Sequence, residues 1–406
     1  MRELLQTKVP VALPATLATQ SFSTLTTFTV PVLAVQAAQT LGVPPTAIGI
    51  YSAIIYLVAM TSGLVSGNVI GRYGAIRTAQ VALLGCGFGL VLFGGAATLW
   101  AAGIGAILVG LGTAMMNPMS SHVLARVTPT RWQPLIFSIK QTGTPFGGML
   151  AGLIIPPLVA WYDWRAALIV IGCIPIATAL LLQPIRAGLD ADRNPSRRIA
   201  FSAVAETVRV VIRNRPIFTL AATAFFYTAA QLGVVSFTVI FLEQVHGLSK
   251  VAAGGIFAVI HGSAIPARIL WGLMAGRIIS SWRLLGLLGL LMAVGIGAFA
   301  FSTPAWPLWA VLLVAAVMGC SMNGVLGLLL SEFARLAPPG RVGEATGGGQ
   351  FFLFGGIMVG PLTFGGIVEL THSYTAALLA FAVMTALAGA FLLATERLSQ
   401  TMTPSA

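Results

Sequence analysis

QTLGVPPTAIG (39–49) and QVHGLSKVAAG (244–254) are one piece of chain written twice, 205 residues apart. Gln39, Gly42, Ala47 and Gly49 fall on Gln244, Gly247, Ala252 and Gly254, and the register continues through Ala53, Ile55, Gly67, Gly71 and Arg72 onto identical residues. Farther on the offset drifts to 209, where Gly110, Ala125, Arg126, Pro129, Gln141 and Gly147 meet Gly319, Ala334, Arg335, Pro338, Gln350 and Gly356. A run of identities in one slowly drifting register is the mark of an internal duplication.

The duplicated unit is apolar. Charged residues are 8% of the 406, against about 25% in soluble domains, and mean hydropathy is +0.94. A bilayer core about 30 Å thick is crossed by roughly 20 apolar residues of helix. Twelve such runs are present, near 11–36, 46–70, 76–96, 99–124, 134–160, 164–184, 216–242, 250–276, 282–302, 307–334, 343–370 and 374–395. The polar segment Pro184–Arg215 separates six from six. The expected fold is therefore an all-α polytopic membrane protein, with twelve transmembrane helices in two pseudo-symmetric six-helix bundles. Residues 1–184 and 216–406 form the bundles and 185–215 a cytoplasmic linker.

A net charge of +12 suggests nucleic-acid binding until the cations are located. They cluster between the apolar runs, so the expected partner is the bilayer and not a nucleic acid. With both termini and the linker in the cytoplasm, 18 of the 22 Lys and Arg lie on that side. Arg165 and Lys250 lie outside, and Lys140 and Arg268 are left within the membrane. That bias is what the positive-inside rule requires, and it places the chain in a plasma membrane, a bacterial inner membrane, with both ends inside. The first apolar run is long and lacks a small-residue cleavage pattern, so it is expected to stay as a signal anchor. Cys86, Cys173 and Cys320 are scattered through apolar helices, which predicts neither disulfides nor a metal site. No HExxH, P-loop or GxSxG motif is present, and the glycine clusters at 85–89 and 103–112 lack dinucleotide spacing, so neither an enzyme nor a cofactor is expected.

The loop GNVIGRYGAIR (67–77), with its second copy GLMAGRIISSWR (272–283), resembles the signature loop between the second and third helices of the major facilitator superfamily. Gly67, Arg72 and Gly74 match it, as do Gly272 and Arg277 in the second copy. The signature's Asp is replaced by Gly71 and Gly276, so the interdomain charge lock which that acid supports in relatives lacks its carboxylate. KQTGTPFGGMLAG (140–152) is similar to the family's Gly/Pro-rich fifth helix, where glycines permit close helix approach. The resemblance covers nearly the whole chain. It implies a monomeric secondary transporter working by alternating access, with its substrate site near the midplane at the repeat interface.

Two cations fit that reading. Lys140 is nine residues after Arg131 and Arg268 nine before Arg277, so each lies about 13 Å from its helix end. A charge at the bilayer centre costs roughly 2.5–3.5 kcal/mol on insertion scales. The family fold implies that helices five and eight face one cleft. Under the repeat, Arg268 falls on Gly63 and Lys140 on Gly349, so the duplication has been made asymmetric at both places. The expected substrate is a small anion, gripped by the Arg268 fork and the Lys140 point charge. Alternatives have Lys140 snorkelling to the cytoplasmic edge or pairing with Glu332.

Further candidates line the same helices. Helix one carries Thr16, Thr19, Gln20, Ser21, Ser23, Thr24, Thr26, Thr27 and Thr29, and helix seven Tyr227, Thr228 and Gln231. About half of the hydroxyls are expected to bond back to their own helix. Gln141 and Gln350 sit beside the cation level as repeat equivalents, and Tyr56 and His261 coincide under the 205 shift. His261 is two turns from Arg268 on one face, as a gate, a proton site or a packed neutral ring. Asn117 and Asn323 read as interhelical glue, and His122 as structural.

An Arg in helix eight resembles the oxalate/formate and monocarboxylate carriers, which favours an organic carboxylate over an inorganic anion. The competing function is a proton-coupled exporter of drugs or other lipophilic compounds. It would need a buried acid, and Glu332 is the one at hand.

Overall fold

The computed structural model describes residues 7–129, 132–196, 204–338 and 341–396, with backbone alone at 134, 204–207 and 342–344. Arg2, Arg131, Arg197, Arg198 and Arg397, counted above among the cytoplasmic cations, lie outside the described residues. No β-strand occurs among the described residues, and one isolated bridge joins Ala275 and Ile279.

The first half runs α1 (Val9–Val32), α2 (Ala34–Leu41), α3 (Ile48–Gly63), α4 (Ser66–Tyr73), α5 (Ala75–Ala96), α6 (Leu99–Val127), α7 (Gln133–Gln141), α8 (Gly143–Trp161) and α9 (Trp164–Leu181). Then come α10 (Gln183–Leu189) and α11 (Val204–Arg213). The second half runs α12 (Arg215–Gln244), α13 (Lys250–Met274), α14 (Ser281–Ala300), α15 (Leu308–Met318), α16 (Leu326–Arg335), α17 (Val342–Thr371) and α18 (Tyr374–Ala394). Among the described residues eleven helical stretches are long and apolar enough to cross a bilayer, and α1 with α2, bent by 55° at Leu33, together make up a twelfth.

Short polar residues set the starts. Thr98, Asp163, Asn214, Ser249, Ser280 and Ser373 each accept the backbone N–H three residues on, capping α6, α9, α12, α13, α14 and α18. Four of the runs predicted as single helices are broken, the tenth by a π turn at Gly319–Asn323 and three others elsewhere. Span one bends two residues after Pro31, span two stops at Gly63 before α4, and span five is interrupted at Thr142. The segment predicted as a linker is not all loop either. It contains α10 and the amphipathic α11, whose Val210 and Val211 are buried.

The chain divides into two compact units, Met1–Pro45 with Ile54–Phe201 and Thr46–Ala53 with Ser202–Ala406. The cut falls inside the predicted linker, but eight residues at the start of span two join the second unit. Within the first unit α1 packs on α8 and α6, and α5 on α6 and α9. Within the second, α12 packs on α17, and α14 on α15 and α18, the same pairings one duplication later. Lipid tails are as apolar as Leu, so helices in a bilayer associate by close approach. A Cβ at Gly147 would overlap the Ser21 carbonyl of α1, and a Cβ at its repeat partner Gly356 would overlap the Phe225 carbonyl of α12. The fifth-helix glycines are packing residues, as their spacing suggested.

Candidate functional site

In the first unit the site is built where span five breaks. Lys140 occupies the last turn of α7, two residues before the break at Thr142, and is fully buried at 0% exposure. Its Nζ donates to Asn117 Oδ1, to the Asn117 carbonyl at 3.4 Å and to Ser121 Oγ at 3.1 Å. Asn117 and Ser121 are four apart on α6 and so share a face. Three acceptors match the three protons of an ammonium. Lys140 therefore does not snorkel, and its ammonium lies inside the bundle against these acceptors.

Beside it, Gln20 of α1 donates from Nε2 to Thr144 Oγ1 at 2.7 Å and, at 3.4 Å, to Gln141 Oε1. The structure thus joins Gln20 and Gln141, and leaves the buried Gln20 Oε1 without a hydrogen-bond partner. Tyr56 of α3 is buried, 8% exposed. The hydroxyls of α1 depart from expectation. All but Ser23 bond back to a carbonyl of their own helix, so the row is mostly self-satisfied and not a polar lining.

In the second unit Arg268 lies on α13 and is half-buried. Helix ten is interrupted at its level by a π turn, Gly319–Asn323, between α15 and α16. A π turn closes wider rings than an α-helix and redirects its carbonyls. Here the Cys320 carbonyl accepts from Trp271 Nε1 at 2.9 Å and the Asn323 carbonyl from Arg268 Nε at 2.9 Å. The bond through Nε fixes the guanidinium plane. Gln231 of α12 donates to Asn323 Oδ1 at 2.6 Å, so helices seven, eight and ten meet on one residue. Asn323 is 3% exposed, and its Nδ2 is buried with no hydrogen-bond partner. His261 is 1% exposed, its ring 4.7 Å from that of Phe257. Gln350 is half-buried on α17.

Two sequence expectations are corrected here. Tyr227 is not a cavity residue, because its hydroxyl donates to the Leu285 carbonyl of α14 at 3.0 Å and its ring is fully buried against Gly289. Glu332 is not an unpaired acid, because Arg335 holds it at 2.8 Å, three residues on. The repeat asymmetry also gains a cause. At Gly349, the counterpart of Lys140, the Phe333 ring already occupies the space that even a Cβ would need.

The signature loop has a carboxylate after all, from a residue the sequence gave no reason to place there. Gly74 adopts φ +96°, and a Cβ on it would strike the side chain of Asp190. Asp190 Oδ1 accepts from Ile76 N at 2.7 Å and Oδ2 from Arg77 N at 3.0 Å, capping α5 from a residue 114 positions on from Ile76. Asn194 N donates to the Gly71 carbonyl at 2.7 Å. Asp192 pairs with Arg126 and lies 2.7 Å from His122 Nε2, which gives the structural role expected of that histidine. Arg72 lies 5.5 Å from the Tyr73 ring centre. In the second copy Gly272 and Arg277 are exposed, and Gly67 and Gly272 have open space around them. No group of three His, Cys, Asp or Glu among the described residues could hold a metal.

Two repeated bundles of membrane-spanning helices, each with a cation inside a span, define a multi-pass integral membrane protein. The chain belongs to the Major Facilitator Superfamily, whose family profile matches residues 16–361. It is similar to the membrane sensor protein UhpC of Escherichia coli K12, 25% identical over 139 residues that make up 33% of this chain. The match spans about a third of that relative, 31% of its length. Among solved structures it resembles a bacterial homolog of the human lysosomal transporter Spinster, in an inward-facing and occupied conformation, with TM-score 0.75 and 17% identity over 98% of both chains. A POT family transporter in complex with 5-aminolevulinic acid superposes with TM-score 0.79 at 11% identity, over 98% of this chain and 97% of that one. The nucleoside transporter NupG does so with TM-score 0.77 at 13% identity, over 95% and 98%. At these identities the likeness is one of fold. The protein is a secondary transporter of the superfamily type.

Proposed function

We propose that the transported solute is a small anion, an organic carboxylate, carried across a bacterial inner membrane by alternating access with both termini in the cytoplasm. One observation carries this reading. Both halves hold a positive charge inside a span, Lys140 five residues in from Leu135 and Arg268 six in from Met274, while the acids of the spans sit closer to the ends. Glu243, Glu332, Glu344 and Glu369 each lie within about one turn of a helix terminus. An anion at about 4 Å from one cation gains around 4 kcal/mol at an effective dielectric of 20, before its own desolvation. That suits a carrier, which must bind and then release.

The two cations divide the work. Arg268, oriented through Nε, offers its fork to a carboxylate. Lys140, held by Asn117 and Ser121, supplies positive potential. Gln231, Gln141, Gln20 and Gln350 supply neutral hydrogen bonds, and exchange or uniport needs no deep proton-carrying acid. The exporter reading is disfavoured because Glu332 is neutralised by Arg335.

Thermal unfolding of the purified protein against a panel of small anions tests the proposal. A true ligand at 100 times its Kd stabilises by about 2.7 kcal/mol. That shift is expected from one class of carboxylate and is expected to vanish in Arg268→Ala. A shift from lipophilic cations alone would overturn the reading.

A further inference from the structure

Asn323 has more hydrogen-bonding capacity than the helices around it use. Its carbonyl holds Arg268 and its Oδ1 accepts from Gln231, yet the side-chain N–H groups are buried without a partner. Interhelical glue would account for the first two bonds only. An unmet buried donor costs about 1–3 kcal/mol, and buried polar groups in folded proteins are nearly always bonded. The residue also ends the π turn, an element that recurs at functional sites. That turn is pinned on both sides. A Cβ at Gly319 would overlap the Ile260 carbonyl of α13, and one at Gly324 would press on the Trp271 ring, so helix ten is seated closely on helix eight. The donor is thus held at a fixed place on the same residue that orients the Arg268 guanidinium.

We propose that Asn323 is a substrate-ligating residue, whose amide donates to an acceptor adjacent to the carboxylate that Arg268 takes. The assignment rests on the anion reading above and narrows it. The class selected is the 2-hydroxy, 2-oxo or short dicarboxylic acid, in which a second oxygen lies two or three bonds from the first carboxylate carbon. A plain monocarboxylate satisfies the Arg268 fork and leaves the amide unmet. A site that hydrogen-bonds a substrate group rejects the analogue lacking it, because its own polar atom is then stranded.

The test compares propionate, 2-hydroxypropionate and 2-oxopropionate on the full-length protein, each titrated by thermal shift to an apparent Kd. The wild type is expected to bind the 2-substituted acids at least tenfold more tightly than propionate. Asn323→Ala should bring that ratio close to one with propionate affinity little changed. Asn323→Leu keeps the approximate size and removes the donor without adding a charge, and it should lose the same discrimination even if the alanine variant folds poorly. Arg268→Ala should lose all three ligands. A variant Tm that falls with the affinity ratio intact would make Asn323 structural and overturn the assignment while leaving the anion reading in place. Binding of all three acids alike by the wild type would do the same. No response to any anion would overturn both.

Discussion

An arginine and a lysine inside a membrane are different instruments. Arg268 cannot shed its proton and presents a planar fork, and the Asn323 carbonyl on Nε fixes which way the fork lies. Arg268→Lys keeps the charge but loses both the fork and the orienting bond, so anion affinity measured by titration should fall about 10- to 100-fold. Glu396 makes a separate, pH-dependent contribution. Its carboxylate accepts from Ser280 at 2.6 Å and from Arg283 at 3.0–3.1 Å, tying the chain after α18 to the start of α14. The Ser280 hydroxyl, with Arg283 behind it, lowers its pKa from the ordinary 4.5. A carboxyl whose pKa is lowered by folding stabilises above its unfolded value, and that stability is lost as the pH falls through the lowered one. The Tm gap between wild type and Glu396→Gln should therefore be present at pH 7, worth about 0.2–1 kcal/mol, and close under acid conditions. Among single residues the charges were legible, because Lys140 and Arg268 stand out against an apolar background. Roles that depend on facing were not. Tyr227 and Gln231 differ by four positions on one helix, yet one packs on α14 and the other reaches Asn323.

The helices themselves were read from twelve apolar runs and from their capping residues, since both signals are local. Their interruptions were not, because the break at Thr142 and the π turn at Gly319–Asn323 arise from how one helix seats on another. The amphipathic α11 was hidden by the arginines around it, which made the segment read as linker. Close approach at the helix level gives a paired prediction. Gly147→Val and Gly356→Val each drive a side chain into a neighbouring helix carbonyl and should destabilise by about 1–3 kcal/mol, whereas Gly67→Ala, with open space at that position, should leave the melting temperature nearly unchanged. Asp190→Ala removes the acceptor of two α5 N–H groups and should cost about 1 kcal/mol or more in the same assay. The sequence hides that contact because Asp190 lies 114 residues from Ile76.

At the scale of the whole molecule, the duplication organises everything. The register that pairs residues 39–49 with 244–254 also pairs α1 on α8 with α12 on α17, helix for helix. Against that symmetry the cations are one-sided, and Phe333 shows how the second half filled the space that Lys140 takes in the first. Transport itself is the direct test of the proposed anion substrate. Purified protein in liposomes loaded with an unlabelled 2-hydroxy or 2-oxo carboxylate should take up the labelled acid from outside. That uptake should be lost in Arg268→Ala and kept in Glu332→Gln. Uptake that survives Arg268→Ala, or that fails in Glu332→Gln alone, would contradict the account.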